Sequence, residues 1–400
     1  MHHPDIQPKT PISNFDRERH PDVLSYEFDE DLVSSLVGMS TKFVRKVLNK
    51  RKGNVRVEDI LFLLDQDAFS ETFVPRSKII DYLLSTNKKE KQVEVDLNSG
   101  QDIFVGCALD LIKQLPSDSI NCVVTSTPYW GTRLYDEPQF VQWADGERCV
   151  FGHEQTPEAF IRHSIEVLYH LKRVMKDDAS VWWNIMDTYN TRTQIRGNAS
   201  EALNAMKGKD KRKWTEHSCR RYSAGHSYLE DGEQCLIPSR ISERASRIGY
   251  FVKSTITWKK NGSMPETVTS RVTRELEVIM HLSLQRTPYF DKNAFNELPT
   301  ELGGKNSEYE SEKVTDVWFF STASGSKGHG AQFPIALPGR CIALSTKVND
   351  IVLDPFLGGG STAVAAKQLN RRCIGFEISQ KYSDIATKQI EGVTSQKLLF

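Results

Sequence analysis

The chain has 400 residues, of which 38% are apolar and 26% are charged, and its formal net charge at pH 7 is zero. This composition is typical of a globular protein with a substantial core, divided into two to three domains or one large domain with an appendage. No apolar run reaches the ~18–20 residues of a membrane span, and the N-terminus "MHHPDIQPKTPIS" lacks the apolar segment of a signal peptide. We therefore expect a cytoplasmic protein without a membrane partner.

The cysteines and the basic residues exclude some classes of site and leave others open. Seven cysteines are scattered along the chain and never spaced as Cys-x-x-Cys, which argues against a disulfide framework and a structural zinc site. We predict no metal site. Residues 41–56 contain seven Lys or Arg and no acid. Such segments are compatible with a stripe that binds phosphates, and equally with solvated helix faces.

The first 95 residues are predicted to form a flexible arm and a small helical domain. Residues 1–22 are polar and proline-rich, and residues 23–95 contain four short amphipathic segments. Ser40 is placed to cap the second of these, "TKFVRKVLNKRKG". A helix, a short turn and a basic helix are compatible with a helix-turn-helix that reads DNA. A helical packing unit is the alternative.

From residue 96 to residue 400 the pattern changes to alternating strands and helices, with a polar insertion at residues 190–233. The predicted strands are "QDIFVG" (101–106), "INCVVTS" (120–126), "SVWWNI" (180–185), "YFVKSTITWKK" (250–260), "LEVIMHLSL" (276–284), "DIVLDPF" (350–356) and "CIGFEI" (373–378). Strands alternating with helices of crossover length predict a doubly wound α/β sheet, which binds ligands at the carboxyl ends of its strands.

The segment "DIVLDPFLGGGSTAVAAKQLNRRCIGFEI" (350–378) predicts a nucleotide-binding loop. It has a strand, a glycine loop, a helix and a strand in that order, with Gly358, Gly360 and Ala363 in the spacing Gly-x-Gly-x-x-Ala. Glu377 lies 19 residues beyond Gly358, where a carboxylate can accept both ribose hydroxyls of an adenosine. A tight turn with a surface glutamate is the alternative.

The same segment argues against NAD. A complete dinucleotide fold needs about six strands, but only 23 residues follow Glu377. Asp354 also places an acid where a pyrophosphate would lie. An acid there suits a positively charged ligand such as S-adenosylmethionine.

Two motifs resemble one known family. "TSTPYW" (125–130) resembles the Thr-Ser-Pro-Pro-Tyr-Trp motif of DNA N4-cytosine methyltransferases, and "DPFLGGGST" (354–362) resembles their Asp-Pro-Phe-x-Gly-Ser-Gly-Thr-Thr motif for S-adenosylmethionine. The catalytic motif precedes the cofactor motif, as in the permuted β-class. Similar segments follow in order over roughly residues 100–390.

The resemblance implies a doubly wound, Rossmann-like S-adenosylmethionine-dependent methyltransferase fold that is circularly permuted. A catalytic half, residues 96–261, would precede a cofactor-binding half, residues 316–400. Residues 262–315 would be the candidate target-recognition region. The small helical domain at the N-terminus lies outside the resemblance.

The implied catalytic residues are Ser126, Thr127, Pro128 and Tyr129. Methylation of an exocyclic amino group needs acceptors that draw electron density back onto its nitrogen. The hydroxyl of Ser126 and a main-chain carbonyl, that of Thr127, are the candidates, and Pro128 fixes the turn. Tyr129 is expected to stack on a base that has left the duplex.

The cofactor and DNA contacts that we expect form two further sets. The cofactor set is Asp354, Phe356, Gly358, Gly360, Glu377, Phe333, Pro334 and Cys107. The DNA set is Arg133, Lys211, Arg212, Lys213, Lys259 and Asn261. Three positions depart from the family pattern: Thr127 replaces a proline, Cys107 an aspartate and Met186 a glycine.

The predicted function is methyl transfer from S-adenosylmethionine to N4 of cytosine in duplex DNA, by a monomer or homodimer, in a restriction-modification system with a cognate endonuclease. Three alternatives stay open: methylation of adenine N6, a catalytically silent DNA-binding relative, and a methyltransferase acting on RNA or a small molecule. Methylation of cytosine C5 is excluded, because it needs a thiolate nucleophile, typically after proline, and the chain has no Pro-Cys dipeptide.

Overall fold

A computed structural model describes residues 27–37, 40–48, 54–56, 59–60, 100–132, 139–143, 148–154, 156–190, 229–230, 232–261, 269–321 and 333–393. None of the helices in these ranges has both the length and the apolar character needed to cross a bilayer. The predicted arm, residues 1–22, lies outside the described residues.

The described residues form twelve strands and nine α-helices. The strands are β1 (Glu27–Phe28), β2 (Val55–Arg56), β3 (Gln101–Val105), β4 (Ile120–Ser126), β5 (Val141–Gln142), β6 (Arg148–Cys149), β7 (Met175–Ile185), β8 (Phe251–Asn261), β9 (Leu276–Ser283), β10 (Val317–Ser321), β11 (Ile351–Asp354) and β12 (Arg372–Glu377). The helices are α1 (Glu30–Val37), α2 (Thr41–Val47), α3 (Ala108–Gln114), α4 (Pro157–Val174), α5 (Ile237–Arg247), α6 (Asn293–Glu297), α7 (Ala336–Ser345), α8 (Ser361–Gln368) and α9 (Gln380–Glu391).

Eight strands form one central sheet in the order β10-β8-β9-β7-β4-β11-β12-β3. Within this sheet β9 pairs antiparallel with β7 and with β8, and the other neighbouring pairs are parallel. Buried parallel strands read as continuous apolar runs, and "INCVVTS" and "DIVLD" have this character. The predicted α/β fold class is confirmed.

Helices cover both faces of the sheet. One apolar cluster includes buried side chains of α3, α4 and α5, such as Ile112, Phe160 and Ile241. A second cluster includes side chains of α7, α8 and α9, such as Leu337 and Ala386. The chain order of strand and helix therefore yields the two-sided layer arrangement that an open parallel sheet requires.

Strand pairing interleaves the two predicted halves in one sheet, and their bounds along the chain stay a prediction. β3, from the predicted catalytic half, pairs with β12 of the cofactor-binding half. β10, from the cofactor-binding half, lies at the opposite edge beside β8. β9, inside the predicted recognition region 262–315, is a central strand between β7 and β8. The halves are interleaved because strand pairing joins segments that are far apart in the chain.

The N-terminal helical unit contacts the central domain through α4. Tyr169 Oη donates to Asp29 Oδ1 at 3.2 Å, and Lys172 Nζ donates to Asp31 Oδ2 at 3.1 Å. The first two predicted helices are α1 and α2, while the third and fourth fall mostly outside the described residues. A DNA-reading role for this unit stays a prediction.

Candidate active site at the carboxyl ends of β4 and β11

The predicted catalytic residues Ser126–Tyr129, called the corner below, and the glycine loop follow neighbouring strands. β4 and β11 pair in parallel, with Cys122 opposite Val352 and Val123 opposite Leu353, so their carboxyl ends meet at one edge. Thr125 Oγ1 donates to Asp354 Oδ1 at 2.7 Å, across a separation of 229 positions in the chain. The two motifs therefore belong to one site.

Asp354 is the hub of this junction. Its carboxylate is fully buried and accepts hydrogen bonds from Thr125 Oγ1, from Thr362 Oγ1 at 2.6 Å and from Phe356 N at 3.0 Å. Burial raises the pKa of Asp354 to about 6, against the opposing effect of these donors. Asp354 therefore ties β4, β11 and α8 together. The contact of Asp354 with the cofactor stays a prediction.

Glu377 has the geometry of a hydroxyl acceptor. Its Oε2 accepts Gly358 N at 2.8 Å and its Oε1 accepts Ser379 N at 2.9 Å. Each carboxylate oxygen has a second lone pair, so both can still accept a hydroxyl hydrogen. Burial raises the pKa of Glu377, which is 9% exposed. The carboxylate therefore fits the vicinal hydroxyls of a ribose.

Two loop glycines adopt left-handed backbone conformations, for different reasons. Gly358 has φ +54° and directs its N–H to Glu377. Gly360 has φ +94°, and a Cβ there would lie 2.9 Å from the Cβ of Ala386 on α9. Gly360 therefore permits the close packing of α9 against the loop, and its contact with the cofactor stays a prediction.

The other residues of the predicted cofactor set surround the same loop. The Phe356 ring lies 5.4 Å from the Phe151 ring. Phe333 O accepts Ser361 Oγ at 3.1 Å, which places Phe333 and its neighbour Pro334 at the start of α8. Cys107 directly precedes α3, where burial raises the pKa of its thiol, so it is a neutral side chain. These residues fit an adenosine bearing a positive charge, and their individual contacts with it stay predictions.

The catalytic corner is anchored by its neighbours. Thr127 is buried, and its Oγ1 accepts Trp183 Nε1 at 3.2 Å. Gly152, at φ +90°, packs against Pro128, where a Cβ on the glycine would lie 3.0 Å from Pro128 Cβ. The Thr127 hydroxyl therefore fixes the position where the family pattern has a proline.

A polar network that the sequence analysis missed lies behind the corner. Tyr129 Oη donates to Glu277 Oε2, and Ser126 Oγ donates to Tyr129 Oη at 3.5 Å. Asn184 Nδ2 donates to Tyr129 Oη at 2.8 Å and to Glu277 Oε2 at 2.9 Å. Lys260 Nζ donates to Glu277 Oε1 at 2.9 Å. The available signal was a polar residue inside each of two strands that are otherwise buried and apolar, at Asn184 and Glu277.

The predicted DNA contacts are only partly within the described residues. Lys259 is 41% exposed in its side chain, and its Nζ lies 3.4 Å from Glu275 Oε2. Its neighbour Lys260 binds Glu277 instead, because successive residues of a strand point to opposite faces, and a DNA contact of Lys259 stays a prediction. Asn261 ends β8, and its side chain is outside the described residues, as are Arg133, Lys211, Arg212 and Lys213.

Two arginines close to the carboxyl end of β7 add positive charge near the site. The guanidinium groups of Arg271 and Arg274 lie 3.8 Å and 4.9 Å from the Tyr189 ring centroid. Arg274 also donates to the carbonyl of Asp187. The Asp187 carboxylate accepts Leu236 N and Ile237 N, each at 2.9 Å, and so caps α5. Asp187 is therefore structural, and the arginines are additional candidates for phosphate contacts.

One buried cluster in the described part of the chain has side chains that could hold a metal ion: Cys149, Glu154 and His163. His163 Nδ1 and Glu154 Oε1 are already hydrogen-bonded at 2.9 Å, and Gly152 N donates to Glu154 Oε2. The Glu154 carbonyl accepts Trp130 Nε1 at 3.0 Å. The cluster therefore supports the back of the corner, and its lack of a metal stays a prediction.

Comparison with known proteins decides the family. A family model described as DNA methylase (N6_N4_Mtase) matches residues 120–388, which include both the corner and the glycine loop. The chain belongs to this family. It is 32% identical over 310 residues to the Type II methyltransferase M.Cfr9I of Citrobacter freundii, covering 77% of this chain and 93% of that protein. It is 31% identical over 297 residues to M.XycI of Xanthomonas campestris pv. cyanopsidis, covering 74% and 89%.

The fold agrees with this membership. The solved structure of the PvuII DNA methyltransferase (cytosine-N4-specific) has a TM-score of 0.51 with the chain at 16% identity, covering 74% of this chain and 89% of that one. At that identity the likeness shows the fold alone. S-adenosylmethionine is the methyl donor of the family, and the residues around β11 and β12 fit it.

Proposed function

We propose that this DNA methylase transfers a methyl group to N4 of a cytosine that has left the duplex. The observation that carries the proposal is the direct hydrogen bond between Thr125 and Asp354, because it fixes the corner beside the cofactor loop. Alignment of the two reacting groups is the main task in this chemistry. S-adenosylmethionine, when bound, supplies an electrophilic methyl group on a sulfonium.

Ser126 is the proposed acceptor for the amino group. Its hydroxyl proton is directed at Tyr129, and this leaves the lone pairs of Oγ for a hydrogen of the base. A hydrogen bond accepted there draws electron density toward the amino nitrogen. The carbonyl of Thr127 is the proposed second acceptor. Pro128 and Gly152 hold the turn, and Tyr129 presents its ring to the base.

Residues in and around the glycine loop are the proposed contacts of S-adenosylmethionine. Glu377 accepts the ribose hydroxyls, and Phe333, Pro334 and Phe356 supply apolar contacts. Cys107 lies beside Gly106, whose N–H binds the Glu377 carbonyl at 3.0 Å, so it borders the same region. The buried charge of Asp354 favours a cationic ligand at the loop.

The proposed substrate is duplex DNA at a specific sequence. The two relatives named above are Type II methyltransferases, and we propose a corresponding restriction-modification role with a cognate endonuclease. Arg133, Lys211, Arg212, Lys213, Lys259 and Asn261 stay proposed DNA contacts. Arg271 and Arg274 join them, since guanidinium groups bind phosphates well.

Nucleoside mass spectrometry tests the choice of base. DNA from cells that express the chain should contain N4-methylcytosine above the level of cells with an empty vector. N6-methyladenine in its place would assign the enzyme to adenine, the second candidate. Neither modified base, in the presence of bound DNA and cofactor, would identify a catalytically silent relative.

Ser126→Ala tests the assignment of the acceptor. The variant should bind S-adenosylmethionine with unchanged affinity by calorimetry and lose at least about 100-fold in methylation rate, the scale expected for a missing electrostatic contact in a transition state. A variant that methylates as fast as the wild type would remove Ser126 from the mechanism.

A further inference from the structure

Glu277 is a buried carboxylate at the centre of the active-site network. It lies on β9, is 8% exposed, and is bound by Tyr129, Asn184 and Lys260. A charged group in such a position loses several kcal/mol of hydration. A contribution to the stability of the fold is therefore a weak explanation for a glutamate at this position. The hydrogen bond of Glu277 to Tyr129 of the corner points to a role in the reaction.

We propose that Glu277 is a positioning residue that accepts, through Tyr129 and Ser126, the proton that the target amino group loses. The proposal rests on the proposed function. The donors along the path point in one direction: Ser126 Oγ donates to Tyr129 Oη, and Tyr129 Oη donates to Glu277 Oε2. A hydrogen bond from the amino group to Ser126 would complete a chain that ends on the carboxylate.

The transfer balances as follows. The bond between the amino nitrogen and the methyl carbon forms while the bond between that carbon and sulfur breaks, and the sulfur keeps the electron pair as a neutral thioether. The amino nitrogen then carries one proton in excess. That proton moves to Ser126 Oγ while the Ser126 proton moves to Tyr129 Oη and the Tyr129 proton moves to Glu277 Oε2. Water takes the proton from Glu277 after the product leaves.

Three features of the network suit this path. An exocyclic nitrogen that bears both a methyl group and an extra proton is strongly acidic, so a glutamate is a sufficient acceptor. Lys260 Nζ, 2.9 Å from Glu277 Oε1, provides a cation beside the resting carboxylate. The Ser126–Tyr129 separation is long at 3.5 Å, and such catalytic hydrogen bonds often shorten in the substrate complex.

Asn184 fixes the last two members of the path, Tyr129 and Glu277, relative to each other. Its Nδ2 donates to both Tyr129 Oη and Glu277 Oε2, so the phenol and the carboxylate keep their relative positions. Its Oδ1 is buried and has no hydrogen-bond partner among the described residues. A buried unsatisfied acceptor is costly and requires an explanation, and a catalytic role of the network is one such explanation.

A double-mutant cycle tests the proposal. Wild type, Glu277→Gln, Tyr129→Phe and the double variant are compared by single-turnover methylation of unmethylated plasmid DNA with labelled S-adenosylmethionine. Phenylalanine keeps the ring for stacking and removes only the hydroxyl. Each single variant should lose about 100-fold in rate, the low end of the contribution of proton transfer. The double variant should be no slower than the slower single variant, because both changes break one path.

Two further measurements separate this role from a structural one. Cofactor affinity by calorimetry and DNA affinity by filter binding should change less than twofold in Glu277→Gln, so the loss lies in the rate alone. Glu158→Gln is the matched control, since Glu158 is a buried glutamate of α4 that pairs with Arg240 and Arg244 of α5. It should lower the melting temperature without changing the rate per folded molecule.

The outcomes distinguish the two proposals. If the wild type methylates DNA and Glu277→Gln is as fast, or if the two single losses multiply in the double variant, the role of Glu277 is refuted and the proposed function stands. If Glu277→Gln does not fold, Tyr129→Phe decides alone, and an undiminished rate there refutes the path. If the wild type modifies neither cytosine nor adenine, both proposals fail.

Discussion

The hydrogen bond between Thr125 and Asp354 offers the most direct test of how the site is assembled. Thr125→Val keeps the shape of a buried β-branched side chain and removes only the hydroxyl that donates to Asp354 Oδ1. The variant leaves Asp354 with the donors Thr362 Oγ1 and Phe356 N. The lost hydrogen bond stabilises the carboxylate more than the carboxylic acid. The loss in free energy of unfolding therefore depends on pH.

The direction of that dependence follows from the raised pKa of Asp354. Because its pKa in the folded protein, about 6, is above the ordinary value of 3.8, the folded state binds the proton more tightly than the unfolded state. The contribution to stability is therefore complete below pH 4 and is lost as pH rises through 6. Removal of a donor to the anion raises the pKa of Asp354 further and extends this loss to higher pH.

The magnitude follows from the strength of the bond. A hydrogen bond to a neutral acceptor contributes about 1 kcal/mol and one to a charged acceptor about 1.5–3 kcal/mol. The free energy of unfolding of Thr125→Val should therefore fall short of that of the wild type by about 1 kcal/mol at pH 5 and about 2–3 kcal/mol at pH 8. The pH at which the variant has lost half of this pH-dependent stability should be about one unit higher than in the wild type.

Urea denaturation at several values between pH 5 and pH 8 measures this difference. Thr346→Val is a suitable control, because Thr346 is buried and its hydroxyl binds no carboxyl group: it donates to the carbonyl of Ile342 and accepts Arg371 Nε. The control should lose the same free energy at each pH. A deficit in Thr125→Val that is equal at pH 5 and pH 8 would refute the assignment of Asp354 as a titrating hub.

Three further predictions concern the loop, the cofactor and the buried cluster. Gly360→Ala should lower the free energy of unfolding by about 2–3 kcal/mol, from left-handed strain of about 1–2 kcal/mol plus the contact with Ala386. Gly232 has a similar φ of +92° and no atom within 4 Å of an added Cβ, so Gly232→Ala should lose only the free energy of the backbone strain. Equal losses of the two variants in urea denaturation would refute a contribution from the contact with Ala386. Glu377→Gln should weaken S-adenosylmethionine binding about tenfold by calorimetry, as expected for one charged hydrogen bond, and unchanged affinity would contradict the ribose assignment. Treatment with a chelator should leave the melting temperature unchanged, because Glu154 and His163 already bind each other; one zinc per chain by elemental analysis would be the contrary result.

The sequence by itself determined the fold class, the family and the two motifs of the site. Apolar runs such as "INCVVTS" are typical of buried strands, and a glycine loop between a strand and a helix is typical of a nucleotide-binding site. The predicted spans of β4 and β12 agree with the structure to within one residue. These features are local, and local patterns are what a single sequence records.

The tertiary structure alone decided which residues meet at the corner. Glu277 lies 148 positions from Tyr129 and 93 from Asn184, so no spacing in the chain indicates that they are hydrogen-bonded. Whether Lys259 or Lys260 binds Glu277 depends on the face of β8 that each residue occupies. A shift of one residue in strand register exchanges those faces.

The tertiary structure also gives different surroundings to the two acids beside the glycine loop. Asp354 and Glu377 both end a strand beside the glycines, and the sequence predicts a ligand contact for each. The structure encloses Asp354 completely, with donors from Thr125, Thr362 and Phe356 N, while Glu377 is 9% exposed and binds two backbone N–H groups. The pairing of β4 with β11 makes that difference, because it brings the Thr125 hydroxyl onto one acid and not the other.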